Sequence, residues 1–428
     1  MSEKINADFS VEQWLSYFEG IHPAKIELTL DRMRTVAEHL SLLTVPGRIV
    51  TVTGTNGKGS VTGLLSRILQ RAGYTVNLYN SPHLIRFNER ITVHGRNISD
   101  ELLLEAFGKI EQARRDTGIS LTFFEITTLA AFYAFIKNPA DFVILEVGMG
   151  GRYDSTNLLD AELAVITNVA LDHTAFLGAT REEIGYQKAG ILKSGAKLVY
   201  GETDLPDSVA QWTRQVSGEL FCLGRNYSFT LNREQHTFTY CGLHRTLADL
   251  QVPSIPVENA VNVLAALEVL KVNADEQLLR EQIGSFAMPG RMQKVMSSPD
   301  VYVDVGHNSH AFGFISRRLD LIASDRRCIA VVGMLRDKDF AAALNTIAPK
   351  ISRFYIGSIP GERGTLASDL KNAIQDPQKR QSAECFDSVI DAFRKAQEDT
   401  SEHDLILVFG SFMTAGPVLE YLGVQCGL

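Results

Sequence analysis

Ile49-Val50-Thr51-Val52-Thr53-Gly54-Thr55-Asn56-Gly57-Lys58-Gly59-Ser60 decides the fold class of this chain. Its first five residues are a compact β-branched run, which predicts a strand. Val61, Leu64, Leu65, Ile68 and Leu69 then recur at i, i+3, i+4, i+7 and i+8, the apolar face of a helix, and Gly73 marks its end. Residues 74–79 read as the next strand. Strand, glycine-rich turn, helix and strand form the βαβ unit of a parallel sheet. Closely spaced glycines between strand and helix let backbone N–H groups converge on an anion, to which the helix adds its positive end. Lys58 can neutralise β- and γ-phosphate charge, and Ser60 can bring a hydroxyl to the phosphates or to Mg²⁺. The strict GxxxxGK[ST] spacing is not met, since Gly59 stands between Lys58 and Ser60. The competing reading is a tight strand-to-helix turn that exposes a lysine.

Working outward, residues 142–147, 163–167 and 197–200 are apolar runs that suit strands covered on both faces. Trp14, Leu15 and Phe18 predict a short first helix, and a second is expected over 26–43, broken by Pro46-Gly47. Residues 221–250 alternate and carry turn residues, which predicts a small antiparallel insertion or edge. A helix is expected over 259–269. Beyond Phe286 a second βα series begins, with strands expected over 301–305, 328–334, 354–357 and 405–409 and helices over 340–347 and 388–396. The expected architecture is α/β throughout. A P-loop-type ATPase domain with a parallel sheet spans 1–288, a hinge 289–295, and a smaller Rossmann-like domain 296–428.

The 428 residues have length for two or three domains at about 150 residues each. An apolar fraction of 45% supplies a core, which argues against extended disorder. Against 42 Lys and Arg stand 50 Asp and Glu, a formal charge of -8 without a basic arm, so nucleic-acid binding is not expected. Cys222, Cys241, Cys328, Cys385 and Cys426 contain no CxxC pair and read as cytosolic thiols. Residues 1–10 hold no apolar signal-like run, and no stretch reaches membrane-spanning length. A soluble cytoplasmic protein without membrane contact is the expectation.

A phosphate loop does not specify a reaction; in an open α/β sheet the remaining chemistry comes from neighbouring strand ends. Three such positions stand out. Ser81-Pro82-His83-Leu84 follows the second strand. Glu146 lies inside an apolar run and, if buried, needs a partner or a metal; a salt-bridged core acid is the alternative. His173 in Leu171-Asp172-His173 can offer a nitrogen to a metal or be an ordinary loop histidine. One hydroxyl, one carboxylate and one imidazole are compatible with Mg²⁺ that keeps phosphate oxygens and waters, although imidazole is an atypical magnesium ligand. Lys188, in Gln187-Lys188-Ala189-Gly190, reads on its own as a solvated charge.

These blocks together resemble the bacterial bifunctional dihydrofolate synthase/folylpolyglutamate synthase family, ATP-dependent amide ligases akin to the Mur enzymes. The resemblance covers nearly the whole chain. It rests on residues 54–60, Ser81-Pro82-His83-Leu84, Phe124-Glu125, Leu145-Glu146-Val147-Gly148-Met149-Gly150-Gly151-Arg152, Ala170-Leu171-Asp172-His173-Thr174 and Lys188-Ala189-Gly190. Pro289-Gly290-Arg291, Asp304-Val305-Gly306-His307-Asn308, residues 333–339 and Phe409-Gly410-Ser411-Phe412 complete it. It implies a Mur ligase-like fold, ATP, two Mg²⁺ ions, and room for a monovalent cation. Gly54, Thr55, Asn56, Gly57, Lys58, Gly59 and Ser60 would hold ATP phosphates, and Ser60 one Mg²⁺. Ser81, Glu146 and His173 would hold the second Mg²⁺, assisted by Lys188 as a carbamate. Asn259 would contact adenine, Arg291 the phosphates and Asp304 the ribose side. His307 and Ser411 would face nucleotide and incoming glutamate. Phe124, Glu125, Arg152 and Asp154 would line the pteroate side.

Where Arg-Glu precedes the family's Lys-Ala-Gly, this chain has Tyr186-Gln187. Ser309 replaces the proline of the Ala-His-Asn-Pro-His pattern. The implied reaction adds L-glutamate to 7,8-dihydropteroate and to reduced folates through an acyl phosphate, in a monomer whose smaller domain closes on the larger. A monofunctional folylpolyglutamate synthase, another Mur-type amino-acid ligase and an ATP-dependent binding module remain as alternatives.

Overall fold

The computed structural model describes residues 9–24, 27–323 and 326–424. They form two compact units: one runs to Pro82 and resumes over Asn88–Phe286, and the other joins His83–Phe87 to the chain from Ala287 onward.

The first unit is built on β1 (Arg48–Thr53), β2 (Val76–Tyr79), β3 (Ile91–Val93), β4 (Arg96–Asn97), β5 (Phe142–Glu146), β6 (Leu163–Ile166), β7 (Lys197–Tyr200) and β8 (Glu219–Cys222). Their order is β4-β3-β2-β5-β1-β6-β7-β8. The strands from β2 to β8 run parallel, and β3 and β4 add an antiparallel edge. β1 lies between β5 and β6, so the chain leaves it toward β2 on one side and later supplies β6 on the other. Such a reversal opens a crevice at the strands' carboxyl ends. Register sets Glu146 beside Val52 and Ile166 beside Thr53, which brings three strand tips to that edge.

The helix Lys58–Arg71 follows β1 and buries Val61, Leu64, Leu65, Ile68 and Leu69, the face its spacing predicts. Every residue of β5 is buried, as its apolar run Phe142–Leu145 requires, and Glu146 is buried with it. The helix expected over 26–43 is shorter, Asp31–His39. Lys25 and Ile26 lie outside the described residues, and the helix ends as the Leu40 N–H turns back to the Val36 carbonyl and the Ser41 N–H to the Glu38 carbonyl. The expected insertion is a separate antiparallel sheet of β9 (Ser228–Asn232), β10 (Thr237–Cys241) and β11 (Thr246–Gln251). Phe221 and Cys222 belong instead to β8 of the main sheet.

The second unit carries β12 (Gln293–Ser297), β13 (Asp300–Val303), β14 (Cys328–Val332), β15 (Arg353–Gly357), β16 (Glu384–Phe386) and β17 (Leu405–Phe409), in the order β12-β13-β17-β14-β15-β16. Only β12 is antiparallel within this sheet. Of the stretch read as a hinge, 293–295 are already strand. Phe312, Phe354 and Phe409 pack on one face of the sheet, and Val301, Tyr355 and Phe393 on the other. Leu84 and Ile85 pack against that second cluster. No helix among the described residues is long and apolar enough to cross a membrane. Cys222, Cys241, Cys328 and Cys385 are free thiols, and Cys426 lies outside the described residues.

Asp404 locks the start of β17. Its carboxylate takes a forked pair from Arg327, at 2.9 and 2.5 Å, and accepts from the Ser401 N–H at 2.8 Å. The Arg327 bonds pull its pKa down to about 2, against a smaller opposing push from burial. A lowered carboxyl stabilises the fold above its unfolded pKa of ~4 and loses that contribution as pH falls through its folded value. Arg327 is largely exposed, so solvent screens the pair. Asp404→Ala is expected to lower unfolding free energy by about 1 kcal/mol at pH 7. Denaturant titration should show the gap closing on acidification below ~pH 4, toward the folded pKa.

Candidate active site

Gly57 caps the helix that begins at Lys58, with φ +84°. A side chain there would meet both the left-handed backbone penalty and the Asn259 carboxamide, 2.5 Å from a Cβ. The loop is held from the end of β6. Asn168 Oδ1 accepts from the Thr55 and Asn56 N–H groups at 3.0 and 2.9 Å, and Thr167 donates its hydroxyl to the Asn56 carbonyl at 2.6 Å. A Cβ on Gly54 would lie 1.7 Å from the Thr167 hydroxyl oxygen, so β1 and β6 can approach this closely only with glycine. Lys58 Nζ donates to the Gly54 carbonyl at 3.0 Å. Gly59 and Ser60 sit buried in the first helical turn. Asn259 is buried, and its Nδ2 has no hydrogen-bond partner among the described residues. An orphaned amide donor beside an anion-binding loop is chemistry that a nucleotide can complete.

Around the loop stand the predicted strand-tip residues of this unit. Glu146 is buried at the end of β5 and accepts from the Ser81 N–H at 3.2 Å. His173 occupies the left-handed region, φ +51°, and heads the short helix Thr174–Leu177, with its N–H on Asp172 Oδ1 at 2.9 Å. The reading of Lys188 as a solvated charge is corrected here. It is only 3% exposed, and burial first, then the charge of Lys58, brings its amine down to about 7. The described residues contain no cluster of three or more His, Cys, Asp or Glu able to enclose a metal. The resemblance gives Ser60 to one Mg²⁺ and Ser81, Glu146 and His173 to a second; a hydroxyl, one carboxylate and an imidazole are chemically compatible with an ion that takes one or two carboxylates and completes its shell from phosphates and water.

The residues assigned to a pteroate side are more deeply committed to the protein. Phe124 lays its ring on the Gly148 backbone and faces Tyr79 at 6.0 Å. Glu125 closes the capping box of the helix Phe123–Lys137, accepting from the Thr122 N–H at 2.7 Å, and pairs with Arg32 at 3.1 Å. Asp154 is buried, and its carboxylate gathers the Met149 and Thr156 N–H groups and the Thr156 hydroxyl. Burial pushes its pKa up, while these donors oppose the push. The Arg152 guanidinium lies between the rings of Tyr186 and Trp212. Sequence reading missed Arg90. Burial pushes its guanidinium pKa down, while the neighbouring Tyr79 and Glu146 support its charge, and it stands 5.7 Å from the Phe123 ring. Its signal was a lone arginine just ahead of β3, a strand the sequence did not reveal.

In the second unit, Asp304 is buried and accepts from the Met292 and Gly306 N–H groups at 2.8 and 2.6 Å. Burial raises its pKa, and the charge of Arg291 opposes the rise. Arg291 stands 5.6 Å from the Phe412 ring. His307 Nδ1 meets the Val305 carbonyl at 3.0 Å, and the buried Ser411 hydroxyl meets Thr414 at 2.9 Å. Arg291, Asp304, His307 and Ser411 thus share the sheet's carboxyl edge around β13 and β17.

A parallel-sheet unit opening on an anion loop, followed by a smaller α/β unit, defines the Mur ligase class. The model of the Mur ligase middle domain matches residues 52–270, and that of the Mur ligase glutamate ligase domain matches 290–412. Dihydrofolate synthase/folylpolyglutamate synthase of Escherichia coli K12 is 39% identical over 96% of this chain and 95% of its own. The structure of E. coli FolC in complex with DHPP and ADP superposes with a TM-score of 0.92 at 39% identity, covering 97% of this chain and 98% of that one. A bifunctional folylpolyglutamate synthase/dihydrofolate synthase with Mn, AMPPNP and L-glutamate bound gives 0.90 at 37% identity, covering 98% and 99%. The chain belongs to the dihydrofolate synthase/folylpolyglutamate synthase family.

Burial of Lys188 has a stability consequence. Between its folded pKa of about 7 and its ordinary 10.5, the unfolded state binds the extra proton, so stability rises with pH across that window. Lys188→Met is expected to melt above the wild type at pH 7. Its advantage should shrink toward pH 10, by up to ~1.4 kcal/mol per pH unit. Gly57→Ala should weaken nucleotide binding at least tenfold, read by titration calorimetry with ADP.

Proposed function

We propose that this chain is an ATP-dependent carboxylate–amine ligase that joins L-glutamate to 7,8-dihydropteroate and then adds γ-linked glutamates to reduced folates. The observation that carries this reading is the gathering of Lys58, Ser60, Glu146 and Lys188 at the crevice beside β1, in a chain similar over nearly its whole length to enzymes of that name. A free carboxylate is a poor acyl donor. Attack of its oxygen on the γ-phosphorus of ATP gives an acyl phosphate and ADP. The glutamate amine then attacks the carbonyl carbon, and collapse of the tetrahedral intermediate forms the amide, releases phosphate and sheds a proton.

Both steps load negative charge onto oxygen, which preorganised cations stabilise. Lys58 and the first-turn N–H groups hold the phosphates, and Asn259 offers its orphaned amide to the base. Two magnesium ions, one held through Ser60 and a second through Ser81, Glu146 and His173, would supply further charge neutralisation on the phosphate oxygens. Lys188, whose buried amine is brought down to about 7, presents neutral amine at physiological pH; that amine can add to carbon dioxide and shed one proton to give a carbamate, so that with the proton already lost from the ammonium a cation is exchanged for an anion. Arg291, Asp304, His307 and Ser411 serve the nucleotide and the glutamate. Phe124 supplies an aromatic face for the pteroate, while Glu125 and Asp154 hold the walls. The reading carries with it a cytoplasmic monomer.

The test is phosphate release by the purified protein with ATP, Mg²⁺, L-glutamate and either dihydropteroate or tetrahydrofolate. Turnover with both is expected. Turnover with tetrahydrofolate alone would reduce the reading to a monofunctional polyglutamate synthase, and with dihydropteroate alone to a dihydrofolate synthase. Lys58→Ala should lower kcat by about 10²-fold or more; full turnover in that variant would remove the phosphate loop from the mechanism.

A further inference from the structure

We propose that Arg152 is a positioning residue for Lys188, fastening the loop 148–157 to the last turn of the helix Arg181–Ala189 that carries the lysine. The inference rests on the reading of Lys188 as part of the reacting site. A helix ends with carbonyls that its own N–H groups cannot satisfy. Here Arg152 takes two of them: its backbone N–H donates to the Gln187 carbonyl at 2.8 Å, and Nη2 donates to the Tyr186 carbonyl at 3.1 Å. These are the two residues immediately before Lys188. On the other side, Asn157 Nδ2 bridges the carbonyls of Arg152 and Gly190, at 2.8 and 3.1 Å. Trp212 Nε1 donates to the Leu192 carbonyl at 3.1 Å.

The guanidinium is itself held. It lies 3.9 Å from the Tyr186 ring centre and 3.8 Å from that of Trp212, with the two rings meeting edge to face. Such stacking suits a planar delocalised cation better than an ammonium. A cation at a helix carboxyl end is also favoured by the helix dipole. The backbones leave no slack. A Cβ on Gly190 would lie 2.4 Å from the Arg152 Cβ, and one on Gly151 would lie 3.1 Å from the Lys188 carbonyl. The Tyr186 ring gives the guanidinium one of its two faces. Because reacting groups misplaced by an ångström lose rate steeply, a grip on this turn acts on the chemical step and not on substrate capture.

The experiment uses the full chain with Trp14→Phe, which leaves Trp212 as the sole indole. Arg152→Met and Trp212→Leu should each lower kcat about tenfold or more while KM for dihydropteroate and tetrahydrofolate stays within about twofold. Arg152→Lys should recover only part of the loss. In the substrate-free protein, Arg152→Met should alter Trp212 emission. A tenfold rise in KM with kcat unchanged would make Arg152 a substrate ligand and overturn the proposal, as would unchanged kcat in both variants. Should Arg152→Met melt as an unfolded chain, Arg152→Lys and Trp212→Leu decide by the same split. Wild-type protein without ligase turnover would overturn the functional reading, and this proposal with it; an altered Trp212 emission would then establish the grip as structural only.

Discussion

Everything at the nucleotide-binding edge depends on one constraint, the tie between the end of β6 and the loop that leaves β1. Asn168 consumes the N–H groups of Thr55 and Asn56, and the Thr167 hydroxyl takes the Asn56 carbonyl. The loop is thereby set before any ligand arrives. The following turn at Lys58, Gly59 and Ser60 is the helix start, the end whose N–H groups and dipole favour an anion. Preorganisation of this kind is what makes fixed dipoles worth more than water to a developing anion. It also explains why Gly54 and Gly57 are irreplaceable for different reasons, the first by close approach to Thr167 and the second by backbone sign.

The electrostatics of the first unit run against its stability. Lys58 and Lys188 repel one another in a site where burial has already penalised the second. Arg90 is sunk beside Glu146 and Tyr79. A phosphate-rich ligand beside Lys58 would offset the repulsion between the two lysines. Two buried acids of this unit are treated differently: Glu125 is occupied in helix capping and an ion pair with Arg32, and Asp154 in loop closure. Carboxylates that accept from backbone N–H groups make strong, charge-assisted hydrogen bonds that fix the local backbone.

The sequence made the parallel strands, the glycine loop and the strand-tip residues legible because each is local: a β-branched run, a glycine spacing, an apolar stripe. It did not reveal β3, β4 or the helices Asp100–Thr117 and Phe123–Lys137. The second of these helices is buried nearly all round and offers no clean polar face to read. The resemblance set Glu125 and Arg152 on the pteroate side, but their protein partners were not legible: Arg32, which pairs with Glu125, is 93 residues away in sequence. Trp212, which stacks on Arg152, belongs to a helix with no motif of its own. Long-range pairs are set by packing, which no local motif encodes.

The five residues His83–Phe87 belong to the second unit although they interrupt the first. Leu84 and Ile85 cover the cluster of Val301, Tyr355 and Phe393, and the helix Phe412–Tyr421 passes so close that a Cβ on Gly416 would stand 2.2 Å from the Leu84 carbonyl. A fragment cut at Phe286 would therefore expose hydrocarbon that the intact polypeptide keeps dry. The carboxyl-terminal portion is not separable by a single scission, and any evolutionary shuffling of it as a module has to carry along a splint encoded two hundred positions upstream.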